Sequence, residues 1–381
     1  MINSTQRGSS LKKISKNLLA VLIGCIIALI LFEIILQFYN PIEIRVRGDH
    51  IILPAYKDYT FVNKNIPKLD DTIFHTKNSL GFRGPEIPSE GLDDYLSIIT
   101  VGGSTTECFY LSDNKTWSAL LGENLKEKFP KVWVNNAGLD GHSTFGHELL
   151  IKEHIIKLSP DFIILLVGAN DVGNEGYTTQ MLGHVKDGVH FDSIESFVKS
   201  VSLYSEVMAL TLNFYKFMRA KSKGLAHNNL ELENSKQVEY PESNLQEILL
   251  RHEVVFIPEY EERLRRIIQI TKENNIEVIF ITQPALFGRG IDNTTGVNLE
   301  GVETGGGLSG YTQWKILELY NNATEKVAEE EGVFYIDLAN KLPKDSKYYY
   351  DFYHYTNEGA EEISSILSKD LNDYLITLRH K

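Results

Sequence analysis

Five short runs along this chain are apolar and β-branched at nearly every position, without the in-out alternation of a half-exposed strand. They lie at residues 96–101, 132–135, 162–167, 277–282 and 333–337. A strand covered on both faces needs apolar residues throughout, so these runs read as neighbours in a parallel sheet. Helical periodicity separates them. Trp117, Leu120, Leu121 and Leu125 fall on one face of a helix over 117–128, and 258–274 is amphipathic with Pro258 in its first turn. Strands alternating with helices predict an α/β fold. Its five-stranded parallel sheet would be layered on both faces by helices joined through right-handed crossovers, with sites beyond the carboxyl ends of the strands.

A sixth apolar run is longer. Residues 18–38 contain only Glu33 and Gln37 as clearly polar side chains. At about 1.5 Å per residue, such a helix covers a hydrocarbon core of about 30 Å. Arg7, Lys12, Lys13 and Lys16 precede it, and positive flanks stay on the cytoplasmic side, which places the remaining chain outside. Glu33, near the far end, is expected to turn its carboxylate toward water. A cleaved signal peptide would want small residues after the run, and Leu36-Gln37-Phe38-Tyr39 lacks them. Leu22-Ile23-Gly24-Cys25 matches a bacterial lipoprotein box, yet a dozen mostly apolar residues follow it, so an uncleaved anchor is favoured over processing at Cys25. The expected organisation is a cytoplasmic tail (1–17), an anchor (18–38), a juxtamembrane stalk and elaboration (39–95), and the α/β domain (96–375). Insertions are expected at 173–256 and 286–310, the latter glycine-rich and read as a mobile loop near the site.

Composition narrows the function classes. A formal net charge of −13, with no basic stripe, excludes a nucleic-acid partner. Two cysteines, Cys25 and Cys108, allow one disulfide at most, and Cys25 lies inside the apolar run.

The chemistry sits just beyond the strand runs. Gly102-Gly103-Ser104-Thr105 follows the first, and Asn136-Ala137-Gly138-Leu139-Asp140-Gly141 the second. Gly168-Ala169-Asn170-Asp171 follows the third, and Asp351-Phe352-Tyr353-His354 comes a loop after the fifth. Taken singly, Ser104 reads as a turn or helix cap, Gly141 as a turn glycine and Asn170 as a loop asparagine. His354, alone, is a histidine packed among Tyr349, Tyr350, Tyr353 and Tyr355. Together they supply what ester cleavage requires. Ser104 is a hydroxyl nucleophile, His354 its base, and Asp351 a carboxylate three residues away that can fix the imidazole tautomer. The Ser104 N–H, the Gly141 N–H and the Asn170 amide are donors for an oxyanion. The nucleophile elbow of α/β-hydrolases is excluded, because Thr106 stands where its second glycine belongs.

In these four segments the chain resembles the SGNH (GDSL-type) hydrolases over roughly residues 96–371. Gly-Gly-Ser-Thr replaces the family's Gly-Asp-Ser-Leu text. The segment Asn78-Ser79-Leu80-Gly81-Phe82-Arg83-Gly84 is similar to one preceding the hydrolase domain in membrane-anchored bacterial members, without an evident chemical role. The resemblance implies a three-layer α/β/α sandwich and a serine ester hydrolase with no metal or organic cofactor. Topology adds an expectation: an envelope location and an ester or O-acylated glycan substrate. Two rival readings keep the same residues, an O-acyltransferase that hands the acyl group to a sugar hydroxyl, and a non-catalytic binding or assembly protein. Other motifs carry less. Gly305-x-Gly307-x-x-Gly310 lacks the preceding strand of a dinucleotide site, and His142, His147 and His154 lack zinc-site spacing.

Overall fold

The computed structural model describes residues 4–40, 44, 46–47, 50–173, 194–222 and 227–379. The chain divides into two compact units, one of residues Leu53–Gly183 and Phe217–Lys381, the other of Met1–Ile52 and His184–Lys216.

The larger unit opens with an antiparallel hairpin, β1 (Lys57–Val62) and β2 (Thr72–Lys77), in which Tyr59 pairs with His75. From Leu53 onward, residues expected to form a stalk therefore belong to the same unit as the sheet. The five apolar runs become β3 (Leu96–Gly102), β4 (Val132–Asn136), β5 (Phe162–Val167), β6 (Glu277–Thr282) and β7 (Phe334–Ile336). All neighbours are parallel, in the order β4-β3-β5-β6-β7. The interior positions of β3, β4, β5 and β6 are almost wholly buried, which is why their sequences show no alternation, while Phe334 and Tyr335 of the edge strand β7 are half-buried.

Helices cover both faces. Trp117–Leu125 begins where Thr116 Oγ1 accepts the Ala119 N–H, and it packs on Asn357–Arg379 on one side. Ile257–Glu273, with Pro258 in its first turn, packs on Gly310–Glu331 on the other. Trp117, Leu121 and Leu125 are fully buried, while Leu120 on the helix shoulder is half-buried. Each such buried leucine contributes on the order of 1.5–3 kcal/mol relative to exposure. The order places a topological switch point between β3 and β5, where the crossovers leave in opposite directions and a crevice forms beyond the strand ends. Ser104 follows β3 and Asn170 follows β5.

Residues 286–310 differ from the mobile loop expected of them. Leu299 and Val302 are fully buried, and Asp292, also fully buried, accepts from Thr295 and from Ser346. The irregular spacing of its apolar residues hid a segment held by carboxylate-to-backbone hydrogen bonds rather than by a periodic face.

In the smaller unit, Ser4–Phe38 is one helix. Within it, Asn17–Phe38 is the only stretch among the described residues long and apolar enough to cross a membrane. Glu33 is half-buried. Its carboxylate accepts the Glu206 and Val207 N–H groups at 2.8 and 3.1 Å and the Ser205 hydroxyl at 2.8 Å. It thereby satisfies free donors at the start of helix Glu206–Ser222. Of the insertion expected at 173–256, residues 174–193 and 223–226 lie outside the described residues. Ile194–Ser202 and Leu245–Arg251 are further helices of that region.

Candidate active site

Two glycines let β3 end in a turn that no side chain would permit. A Cβ on Gly102 would lie 2.1 Å from Thr106 Oγ1, and one on Gly103 would lie 2.2 Å from Asn170 Nδ2. Ser104 then starts a single helical turn, Ser104–Glu107, closed by Cys108 in the left-handed conformation. The sequence Ser104-x-x-Glu107 has the text of a capping box, but Gly103 is the cap residue and the serine hydroxyl is not spent on the helix.

That hydroxyl meets His354. Ser104 Oγ lies 2.7 Å from His354 Nε2, and His354 Nδ1 lies 2.7 Å from Asp351 Oδ2. The other Asp351 oxygen accepts the N–H groups of Tyr353 and His354 at 2.9 and 2.8 Å, so the carboxylate is held by the loop it orients. All three side chains are buried. Burial pulls the His354 pKa down. The Asp351 charge and hydrogen bond, together with the charge of Asp140, outweigh that and leave it raised above the ordinary histidine value. Burial pushes Asp351 up, but the His354 charge and three hydrogen bonds hold it below the usual carboxylate range. The histidine is thus among tyrosines, as its local sequence suggests, and on the serine as well.

Asn170 follows β5. Its Nδ2 donates to the His142 carbonyl at 2.9 Å and packs against Gly103, the residue that precedes Ser104. Gly141 lies in a turn with φ +73, and a Cβ there would meet open space. The same loop presses on the Ser104 helix at Gly138, where a Cβ would lie 2.3 Å from the Glu107 nitrogen. Asp171 is buried and accepts from the Thr144 N–H and hydroxyl, capping helix Thr144–Leu150 rather than facing Ser104. Cys108 lines a small cavity beside Ser104 with Tyr110, Leu111 and Tyr350. Burial pushes its thiol up to about 12, so it is no thiolate at neutral pH.

One residue at the site has no signal in the sequence. His227 stacks on His354 with ring centroids 4.0 Å apart. Burial keeps the Tyr350 phenol protonated, and its hydroxyl lies 2.6 Å from His227 Nδ1, within hydrogen-bond distance. His227 Nε2 faces Asp140 Oδ2 at 3.7 Å. Burial, and then the neighbouring His354, lower the His227 pKa against the pull of Asp140. His227, Asp351 and His354 form the one group among the described residues whose ligand atoms, within 4.8 Å of one another, come close enough for a metal. The two rings are tilted by 31°, and both His354 nitrogens already have partners, Ser104 and Asp351. The arrangement suits proton transfer better than coordination. His142, His147 and His154 are not brought together in such a group.

A family model described as the GDSL-like lipase/acylhydrolase family matches residues 100–362. No curated protein matches the chain. Among solved structures, it is similar to an acetylxylan esterase, Axe2, of Geobacillus stearothermophilus, with 15% identity over 71% of this chain and 92% of that one, at a TM-score of 0.40. An acetyl xylan esterase, AlAXEase, is 16% identical over 72% of this chain and 98% of its own, at 0.40. LAE5, an alpha/beta hydrolase from the metagenome of Lake Arreo, is 14% identical over 72% and 94%, at 0.41.

Proposed function

The chain belongs to the GDSL-like lipase/acylhydrolase family and is an ester hydrolase, and from that premise we propose that it works through an acyl-serine on Ser104. The observation that carries this reading is the unbroken hydrogen-bond chain from Ser104 Oγ through His354 to Asp351. His354 Nε2 takes the serine proton as Oγ bonds to the ester carbonyl carbon. The same proton then goes to the alkoxy oxygen as its bond to that carbon breaks and the alcohol leaves. Water repeats the sequence: it gives its proton to His354, attacks the acyl carbon, and the proton returns to Ser104 Oγ as the acid departs. Asp351 stays ionised and fixes the tautomer with Nδ1–H toward itself. The Ser104 and Gly141 N–H groups and the Asn170 amide face the oxyanion that forms in each half.

The anchor belongs to the same proposal. Residues 17–38 cross the membrane with the basic tail inside, which leaves the catalytic unit facing the envelope, where O-acetyl groups on glycans are accessible esters. The test is labelling with a serine-reactive fluorophosphonate and mapping of the modified residue, followed by assay of acetate release from O-acetylated polysaccharide. Label on any residue other than Ser104 refutes the nucleophile. Loss of acetyl groups from the donor that requires an added acceptor glycan, with the acetyl recovered on that acceptor and not as free acetate, makes the enzyme a transferase instead.

A further inference from the structure

The segment from Asn78 to Gly84 takes no part in the scheme above, yet the structure runs it directly under the Ser104 helix. Asn78 Oδ1 accepts the Leu80 and Phe82 N–H groups, and its Nδ2 donates to Asn135 Oδ1 at 2.7 Å, tying the turn to β4. Gly81 is left-handed, at φ +77, and its missing Cβ would lie 2.6 Å from Leu53 Cβ. So fixed, the segment presents Arg83, with Lys77 directly before the segment at the end of β2. Arg83 donates through Nη1 to the carbonyls of Glu107 and Cys108 and through Nη2 to that of Leu111, each at 2.7 Å, with Asp113 balancing its charge. The Glu107 carbonyl is the last of the Ser104 helix, and those of Cys108 and Leu111 belong to the turn that follows it. Lys77 Nζ lies 3.2 Å from Glu107 Oε1, and both side chains are almost fully buried.

A buried ion pair is a weak source of net stability, because desolvating two charges offsets their attraction. What the Glu107 carboxylate does beyond pairing is hold a backbone donor. Its Oε2 accepts the Asp140 N–H at 2.7 Å, a charge-assisted bond to the residue directly before Gly141. Glu107 is the last residue of the turn that Ser104 begins, so one short helix carries the nucleophile at its start and a grip on the Gly141 loop at its end. The loop is held to that helix at two points, by this bond and by the close approach at Gly138.

We infer that Lys77 and Glu107 are positioning residues that set the Asp140–Gly141 turn against Ser104, and so aim the Gly141 N–H at the oxyanion. The inference rests on reading Gly141 as an oxyanion donor. Lys77 faces the Glu107 carboxylate in its buried site, and that carboxylate keeps the turn in place before substrate arrives.

Two double variants separate the hydrogen bond from the charges. Lys77→Met with Glu107→Gln removes both charges but keeps a carbonyl acceptor for the Asp140 N–H. Lys77→Met with Glu107→Leu removes the acceptor too. The leucine pair should lose about 10²-fold in kcat with KM changed less than about threefold, as when one oxyanion donor is lost, and the glutamine pair should stay within about tenfold of the unmodified enzyme. A folded leucine pair with unchanged kcat overturns the inference. If the leucine pair does not fold, hydrogen exchange in the unmodified protein decides, because an unprotected Asp140 amide overturns it equally. Ser104→Ala, assayed alongside, distinguishes the two failures: retained turnover there removes the site reading itself, whereas its loss beside an active leucine pair removes only the positioning role.

Discussion

The two sides of the site are built from different materials. The Ser104 side is backbone and buried charge: glycines at 102, 103 and 138 that permit close approach, Asn136 Nδ2 donating to the Thr106 carbonyl, Arg83 and Glu107 bonding to main chain, and Lys77 paired with the Glu107 carboxylate. The His354 side is mostly aromatic packing. Tyr349, Tyr350, Tyr353 and Tyr355 are buried, Phe287 meets Phe352 and Tyr353 edge-on, and Asp351 is the single carboxylate bonded to the histidine there. Hydrogen bonds have short reach and fixed direction, so the first side defines position sharply. Packing tolerates small shifts but excludes water, so the second side sets the electrostatic environment of the base. Substitutions on the Ser104 side should therefore act on kcat through geometry, and those on the His354 side through protonation.

The sharpest break in that comparison is the nucleophile itself. Ser104→Ala should lower kcat by about 10⁶ if the triad acts as a unit, with the fold retained by circular dichroism. Asp351→Asn comes next, on the opposite side. The amide keeps the shape but admits the wrong imidazole tautomer, and a loss near 10⁴ in kcat is expected from steady-state assay. A much milder loss would mean that another acceptor orients His354 and that this side depends on packing alone. Asn170→Ala removes one donor on the Ser104 side, so kcat should fall about 10²–10³-fold with KM nearly constant. A rise in KM alone would make Asn170 a substrate contact and move the oxyanion hole elsewhere.

The same division explains what was legible in the sequence. Strand runs at 96–101 and 162–167 were readable because burial on both faces leaves a continuous apolar signature, and Ser104 and Asn170 because they sit just beyond such runs. Asp351 and His354 were readable as a pair because they are three residues apart, and the structure sets their side chains 2.7 Å from one another. Lys77, Arg83 and Glu107 were not, since a buried ion pair between residues on a hairpin and a helix leaves no spacing pattern. His227 was hidden for a related reason. It comes from a polar stretch without periodicity and reaches Tyr350 across the fold, a contact that exists only once the chain has closed. The loop at 286–310 was misread because its order comes from Asp292 and its partners rather than from a repeated apolar face.

The finest probe lies where the two sides touch, at Asp140. Its backbone belongs to the Ser104 side through Glu107, while its carboxylate faces His227 and through it the base. His354 must be neutral to accept the serine proton, so kcat/KM should rise with pH through its free-enzyme pKa. Burial lowers that pKa and the Asp351 and Asp140 carboxylates raise it, with the raised value winning, so the acid limb should lie above the ordinary histidine value of about 6.5. Asp140→Asn keeps the N–H that Glu107 holds and removes only the charge. With less negative potential at the imidazolium, the His354 pKa falls and the acid limb moves to lower pH. His227 also loses its carboxylate partner, so its own pKa falls further and it stays neutral through the range, adding no opposing shift. The plateau rate should change little, because neither the nucleophile nor an oxyanion donor has moved. A pH–rate profile on a soluble ester measures both features at once. An acid limb that stays in place, or shifts upward, would show that Asp140 serves only the geometry of the Ser104 side and that the base is tuned by Asp351 alone.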